Sequence, residues 1–151
     1  MSYWILQCNP RKYKIFVYWE KYANLLDSWG VSLFKDKIKP GDHTFIWLSN
    51  QAGKRNRGIY AKAEVVTPPD QSRPPFMTGE DYWIDETEKG RLEQLPRLEL
   101  RYLKIFPEKP LLADKLKTTL GLENLTILKV GRKGIYKLSE NEGRIIESLI
   151  D

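Results

Sequence analysis

The sequence is poor in the residues that most often hold metals or form disulfides. Of its 151 residues, only one is a cysteine and only one is a histidine. Cys8 alone excludes an internal disulfide and a zinc site made of several thiolates, and it is compatible with a reducing compartment. His43 alone cannot build a metal site that needs two histidines. We therefore expect no metal, no cofactor and a cytoplasmic location.

Long apolar runs and the short motifs of common enzymes are also missing. No stretch approaches the roughly 20 apolar residues of a membrane helix, and the first residues lack the basic and apolar regions of an export signal. Glycine-rich phosphate-binding loops, the serine nucleophile elbow and the HExxH zinc motif are absent as well. These absences predict a soluble, unexported protein without a membrane partner, and they argue against an enzyme.

The composition is that of one compact domain covering residues 1–151. Hydrophobic residues make up 41% of the chain and aromatic residues 12%, which is enough for a real core. Lysine and arginine total 25 against 20 acidic residues, so the formal net charge is +5. An excess of this size favours a polyanionic partner only slightly.

Apolar patterning predicts short strands broken by glycine and proline turns, with helices between them. Strands are predicted at residues 3–7, 43–50, 58–67, 95–106, 125–128 and 134–138, and helices at 13–26, from 110 to a stop at Gly121, and behind the capping box at 139–142. Pro68 and Pro69 are expected to end the strand that begins at Gly58. The pattern predicts an α+β fold, namely a small mixed β-barrel with flanking helices.

Two of the predicted strands flank a basic loop. Phe45, Trp47 and Ser49 occupy every second position, so a strand would point all three to one face. The loop contains Lys54, Arg55 and Arg57, which would either contact phosphates or form a solvated hairpin tip. An aromatic ring and a hydroxyl beside cationic residues suit stacking on a nucleic acid.

Five tryptophans are present, and their positions differ. Trp4 and Trp19 lie within apolar patterns and are predicted to belong to the core. Trp29, Trp47 and Trp83 lie at element ends or beside polar residues, where one face of the ring could contact a flat ligand. Core packing is the alternative for each of them.

Several segments together resemble a known family. They are YWILQCNP, DSWGV, IKPGD, FIWLSN, RGIYAKAEV and LSENEGRIIESL, and in this order and spacing they are similar to the EVE domain, a member of the PUA-like superfamily related to the YTH and ASCH domains. The likeness extends from Tyr3 to Leu149. It implies a PUA-like mixed β-barrel with flanking helices and a concave pocket that accepts a base. It further implies a non-catalytic protein that recognises modified nucleobases, often in DNA, and that acts through an effector protein partner.

The resemblance also implies the residues of the site. An extruded base would insert between aromatic faces while short polar side chains bind its edge, and a methyl group on the base would add apolar contact. The implied base-binding residues are Asn9, Ser28, Trp29, Trp47, Ser49, Asn50, Gly58 and Trp83, and the implied phosphate-binding residues are Lys54, Arg55, Arg57 and Lys62. At Gly58, the missing side chain would let a ligand approach the backbone.

Two other functions stay open at this point. One is a general PUA-like RNA-binding protein that uses its basic surface and the shape of RNA rather than a flipped base. The other is a small hydrolase like some ASCH relatives, with a lysine and a carboxylate as its reactive groups. The sequence does not predict whether DNA or RNA is the partner, which modification is bound, or the oligomeric state.

Overall fold

The computed structural model describes residues 1–49, 56–71, 82–131 and 133–151. In these ranges the chain forms one seven-stranded mixed sheet, which curls, and five helices. The strands are β1 (Tyr3–Cys8), β2 (Asp27–Gly30), β3 (His43–Leu48), β4 (Gly58–Asp70), β5 (Arg97–Ile105), β6 (Leu111–Leu112) and β7 (Ile135–Leu138). The helices are α1 (Ile15–Tyr22), α2 (Glu86–Glu93), α3 (Ala113–Lys117), α4 (Thr126–Lys129) and α5 (Glu140–Ile150).

The order of strands in the sheet is β2, β5, β4, β3, β1, β7, with β6 paired to β4. β1 and β3 are parallel, and the other pairs among the described residues are antiparallel. In the parallel pair, Tyr3 lies opposite His43 and Cys8 lies opposite Leu48. Both strands therefore end at the same edge of the sheet.

Hydrophobic residues pack on both faces of the sheet. Alternate residues of β1 enter different clusters, with Trp4 and Leu6 in one and Tyr3 and Ile5 in the other, as the two-residue period of a strand requires. The buried indole of Trp4 donates from Nε1 to Asp42 Oδ2 at 2.9 Å. Trp19 is 4% exposed, so the prediction that Trp4 and Trp19 are core residues is confirmed.

Most predicted strands and the last helix are confirmed within a few residues. Ser139 caps α5 by accepting from the backbone N–H of Glu142, whose side chain accepts from the backbone of Ser139 in return. Ile146 and Ile150 point from this helix into the core. No helix in the described part of the chain combines the length and apolar character needed to cross a membrane.

Several local predictions were wrong. The first helix ends at Tyr22, residues 126–129 are helical rather than extended, and the helix expected from residue 110 begins only at Ala113. Leu120, which the expected helix would have included, lies beyond the end of α3 and is 90% exposed. β4 continues through the two prolines to Asp70, because its register with β5 shifts between Thr67 and Asp70, and strand prolines are tolerated at such irregularities.

Helix α2 was missed because it has no apolar face. None of its residues is buried, so no hydrophobic period reveals it. Its start is marked by Asp85, whose Oδ1 accepts from the backbone N–H of Glu88 at 2.9 Å. An acidic cap followed three residues later by glutamate was the one sequence signal available.

Helix α5 is fastened to the sheet through Glu147, at the edge where β1 and β3 begin. Glu147 accepts from Tyr3 Oη at 2.5 Å, lies 2.8 Å from His43 Nδ1 and lies 2.6 Å from Lys62 Nζ. Desolvation raises the pKa of Glu147, but hydrogen bonds from Lys62, Tyr3 and His43 outweigh it and lower the pKa to about 2. The Lys62 side chain is only 11% exposed.

We predict that Glu147→Gln lowers the free energy of unfolding at pH 7 by about 2–3 kcal/mol, because three donors lose a charged acceptor. The pKa of Glu147 is lower in the folded protein than its ordinary value of 4.5. Its stabilising effect is therefore complete above the unfolded pKa and is lost as the pH falls toward 2. Urea unfolding at pH 7 and at pH 3 measures the difference, which should shrink at pH 3.

The matched control is Glu108→Gln, at an exposed glutamate in the turn after β5. It should change the free energy of unfolding by less than about 0.5 kcal/mol. A Glu147→Gln variant as stable as the wild type at pH 7 would contradict the assigned role of the carboxylate.

Candidate functional site

A cavity of about 460 Å³ opens where β1 and β3 end, a size within the range of small-ligand sites. The chain leaves both strands side by side, since the backbone N–H of Ser49 donates to the carbonyl of Cys8 at 3.1 Å. The lining includes four aromatic residues, Tyr13, Trp29, Trp47 and Trp83, and the polar residues Gln7, Asn9, Ser28 and Ser49. It also includes the charged residues Lys12, Asp27, Arg57, Glu88, Arg91 and Arg97.

Three of the four aromatic lining residues, Tyr13, Trp29 and Trp83, are partly exposed. Trp29 lies on β2, which pairs with β5 at the end of the sheet. Trp83 forms an isolated bridge with Tyr13, and the two rings meet edge to face with centroids 4.7 Å apart. By contrast, Trp47 is 1% exposed and packs in the core, so it belongs mainly to the floor of the cavity.

Two short polar side chains lie where the strands end. The Oγ of Ser49 is buried and has no hydrogen-bond partner among the described residues. Asn9 forms a tight turn, in which Oδ1 accepts from the backbone N–H of Arg11 at 3.0 Å and the carbonyl accepts from Lys12. A buried hydroxyl without a partner costs roughly 1–3 kcal/mol, which a ligand able to hydrogen-bond to it would recover.

Arg97 is a buried cation in the cavity wall. It is 2% exposed, and it donates from Nε to Ser28 Oγ at 2.7 Å and from Nη1 to the Leu92 carbonyl at 3.1 Å. Burial lowers the pKa of Arg97 to about 10, although the negative charge of Asp27 opposes the shift. These contacts fix the orientation of Ser28.

Asp27 is the buried acid of the same wall. It is 7% exposed, Oδ2 accepts from Tyr102 Oη at 2.5 Å, and Oδ1 accepts from the backbone N–H of Ser28 at 2.8 Å. Burial raises the pKa of Asp27 to about 6 despite these bonds and one from Tyr18. Sequence reasoning missed both Asp27 and Arg97. The position of Asp27 beside Trp29 was a usable signal, whereas nothing in the pattern of β5 distinguishes Arg97 from a surface arginine.

The remaining charged residues form a cationic rim. Glu88 binds Arg91 Nη2 at 2.5 Å and Lys12 Nζ at 3.5 Å, and the hydrogen bond from Arg91 lowers the pKa of Glu88. Arg57 makes no ion pair with a described residue, and its carbonyl accepts from Ala113 at 2.9 Å. The cavity thus has more cationic than acidic side chains. Burial raises the pKa of the Cys8 thiol, so this residue stays neutral.

One wall consists of the loop between α4 and β7, which sequence reasoning did not assign. Gly131 and Gly134 line the cavity. Gln7 holds the loop by donating from Nε2 to the carbonyls of Gly131 and Lys133 at 3.0 and 3.1 Å. The hydroxyl of Tyr136 donates to the Val130 carbonyl at 2.5 Å and accepts from the backbone N–H of Lys133.

The structure brings together most of the residues expected at the site. The ones that line the cavity are Asn9, Ser28, Trp29, Trp47, Ser49, Trp83 and Arg57. Asn50, Lys54 and Arg55 lie outside the described residues.

Two expected site residues lie elsewhere. A Cβ atom at Gly58 would lie 2.2 Å from the Leu111 carbonyl oxygen, so the small residue is required by the pairing of β4 with β6 rather than by a ligand. Lys62 is paired with Glu147 at the opposite edge of the sheet and does not line the cavity. No group of side chains in the described ranges is arranged to hold a metal ion.

A family model described as the EVE domain matches residues 2–149. Among curated proteins, none matches the chain significantly. A hypothetical protein from Leishmania major is similar with a TM-score of 0.70, at 19% identity over 99% of this chain and 94% of that one.

Two further similar structures contain nucleic acid. Human THYN1, in complex with DNA that contains 5-methylcytosine, has a TM-score of 0.67 at 18% identity, over 99% of this chain and 97% of that one. The YTH domain-containing protein mmi1, in complex with RNA, has a TM-score of 0.56 at 14% identity, over 99% and 80%. At such identities these structures establish the fold alone, and they confirm the predicted PUA-like architecture.

Proposed function

This chain belongs to the EVE domain family, and we propose that it binds nucleic acid without catalysing a reaction, by taking one nucleobase into the cavity. The observation that carries the proposal is a cavity that joins partly exposed aromatic walls, Trp29 and Trp83, to the buried hydroxyl of Ser49, which has no hydrogen-bond partner among the described residues. Flat hydrophobic walls with a polar end match the face and the edge of a base.

Stacking supplies the first part of the binding energy. A base gains roughly 1–3 kcal/mol from an aromatic side chain, and this gain hardly depends on sequence. Taking the base out of a duplex costs a few kcal/mol, which is least for a single strand or a mismatched base. A single strand is therefore the preferred partner of the isolated domain.

Hydrogen bonds and phosphate contacts supply the rest. In the proposed complex, the hydroxyl of Ser49 and the amide of Asn9 bind the edge of the base. Arg57 and Lys12, which line the cavity, would contact the phosphates of the bound strand, which gives affinity that falls with salt. The excess of cationic side chains in the lining supports an anionic ligand.

We further propose that the captured base is modified. A methyl group would add apolar contact worth roughly 0.8 kcal/mol, or about fourfold in affinity. The similar human protein in complex with DNA that contains 5-methylcytosine supports this substrate class. Titration with two oligonucleotides that differ only in this methyl group tests the proposal. Equal affinities would contradict the preference for a modified base.

We predict that Trp29→Ala weakens binding of a labelled single-stranded oligonucleotide at least tenfold, since one stacking face is lost. Fluorescence anisotropy measures the dissociation constant, and thermal unfolding verifies that the variant is folded. Trp29→Phe keeps a flat ring and should retain most of the affinity. The control Leu120→Ala changes an apolar side chain that is 90% exposed and should bind as the wild type does. Unchanged binding by Trp29→Ala would contradict base capture.

Arg57→Ala is expected to weaken binding several-fold for every sequence and to reduce the slope of log K against log salt by about 1, because one phosphate contact is lost. Titrations between 50 and 200 mM salt measure the slope. Lys109→Ala removes an exposed cation that does not line the cavity and serves as the matched control. Equal slopes for both variants would show that Arg57 makes no phosphate contact.

A general RNA-binding module is the second candidate function, and the similarity to a YTH domain in complex with RNA favours it. Competition of unlabelled DNA and RNA of one sequence against the labelled strand separates the two functions. Base capture predicts that both compete and that Trp29→Ala weakens both. Recognition of RNA shape predicts that structured RNA alone competes and that its binding survives Trp29→Ala.

A further inference from the structure

We propose that the carboxylate of Asp27 accepts a hydrogen bond from an exocyclic amino group of the captured base, so that the cavity prefers cytosine-like bases to their carbonyl counterparts. The inference rests on the proposed function and names the class of base. It concerns a residue that the sequence patterns did not single out and that the rest of the proposed site does not use.

The position of Asp27 makes it available to a ligand. Asp27 and Trp29 are separated by one residue on β2, so a strand presents both to the same face, and both line the cavity. A base stacked on Trp29 would therefore have Asp27 near its edge. The carboxylate is otherwise buried, so it meets the ligand in an environment where hydrogen bonds and repulsions are strong.

A count of acceptor positions leaves room for one more donor. A carboxylate has about four lone-pair positions. In the described part of the chain, donors to Asp27 are the backbone N–H of Ser28, the hydroxyl of Tyr102 and the hydroxyl of Tyr18. One position is left for a single N–H donor of a ligand.

The charged and titratable side chains that face Asp27 do not occupy the remaining lone-pair position of its carboxylate. Arg97 on β5 is directed to Ser28 and to the Leu92 carbonyl. Burial raises the pKa of Cys8, of Tyr13 and of Tyr102, so all three are neutral at ordinary pH. The other charged residues of the lining are Lys12, Arg57, Glu88 and Arg91.

The edges of the bases differ in how they suit one buried acceptor. Cytosine and 5-methylcytosine present an amino group where uracil and thymine present a carbonyl oxygen, which a carboxylate repels. The N3–H of thymine is flanked by two carbonyl oxygens, so it is a poor substitute. Guanine presents two N–H donors side by side, so it would need a free lone pair on each carboxylate oxygen. Most lone-pair positions of Asp27 are already occupied.

Protonation of Asp27 removes the acceptor. Burial raises its pKa to about 6 in the free protein, and donation from a bound base lowers the pKa in the complex. Binding is therefore strongest above pH 6 and weakens as the pH falls below it. With one such group, affinity at pH 5 should be about tenfold lower than at pH 7.5.

The test uses four single-stranded oligonucleotides that differ at one central base: cytosine, 5-methylcytosine, uracil or thymine. Within each pair that shares the same substituent at position 5, we expect the amino base to bind at least tenfold more tightly than the carbonyl base. Asp27→Asn replaces one oxygen by an N–H donor and should reduce that preference below threefold or reverse it. It should also abolish the loss of affinity between pH 7.5 and pH 5.

Two further variants separate recognition from folding. Asp114→Asn alters a carboxylate whose side chain is 84% exposed and should keep both the preference and the pH profile. Tyr102→Phe removes a donor to Asp27 but keeps the ring and the carboxylate, so it should keep the amino preference. Thermal unfolding verifies that each variant is folded. If Asp27→Asn does not fold, the four affinities of the wild type and its pH profile still test the role of Asp27.

The outcomes distinguish a failure of the role proposed for Asp27 from a failure of base capture itself. Equal binding of 5-methylcytosine and thymine, with binding still dependent on Trp29, would overturn the role of Asp27 and leave base capture standing. Binding of none of the four oligonucleotides, or binding that ignores Trp29→Ala, would overturn base capture itself. A wild-type affinity that does not change between pH 7.5 and pH 5 would also count against Asp27.

Discussion

The parallel pairing of β1 with β3 is the constraint on which the cavity depends. Two parallel neighbours end at the same edge of a sheet, so Asn9 and Ser49, which follow β1 and β3, leave the sheet side by side. Parallel strands also require a long crossover. Here the crossover contains α1 and β2, and β2 returns to the far side of the sheet with Trp29 on it.

Buried polar groups distinguish this cavity from an ordinary surface cleft. Burying a charge is costly unless hydrogen bonds compensate, and here Tyr102 and Ser28 bind the carboxylate of Asp27 while Ser28 also binds Arg97. Burial still moves the pKa of both groups toward the neutral form. Strongly shifted pKa values beside a cavity are typical of functional sites. The same bonds hold β2 against β5, so Asp27, Ser28 and Arg97 both line the cavity and support strand pairing.

The ion-paired docking site of α5 and the cavity lie at opposite ends of the parallel pair. At the end where β1 and β3 start, Glu147 joins α5 to Tyr3, His43 and Lys62. At the other end, the strands open into the cavity. Lys62 lies on β4, the strand that begins at the expected site residue Gly58, but its side chain pairs with Glu147 and so helps to dock α5. The sequence alone indicated a phosphate ligand at Lys62, because Glu147, with which it pairs, lies 85 positions further along the chain.

Local patterns were sufficient for the main strands, for the capped last helix and for the α+β class, because alternation, turns and caps involve residues that are close in sequence. The positions of Trp29, Ser49 and Trp83 already indicated contact with a ligand, and the family resemblance added Asn9. All four residues line one cavity. Helix α2 and Asp27 each had one local signal that was not used, whereas the burial of Arg97 and the partners of Gly58 and Lys62 could not be predicted from the sequence. Each of these depends on which distant segments meet, and that is settled by the packing of the whole sheet rather than by the neighbours of a residue along the chain.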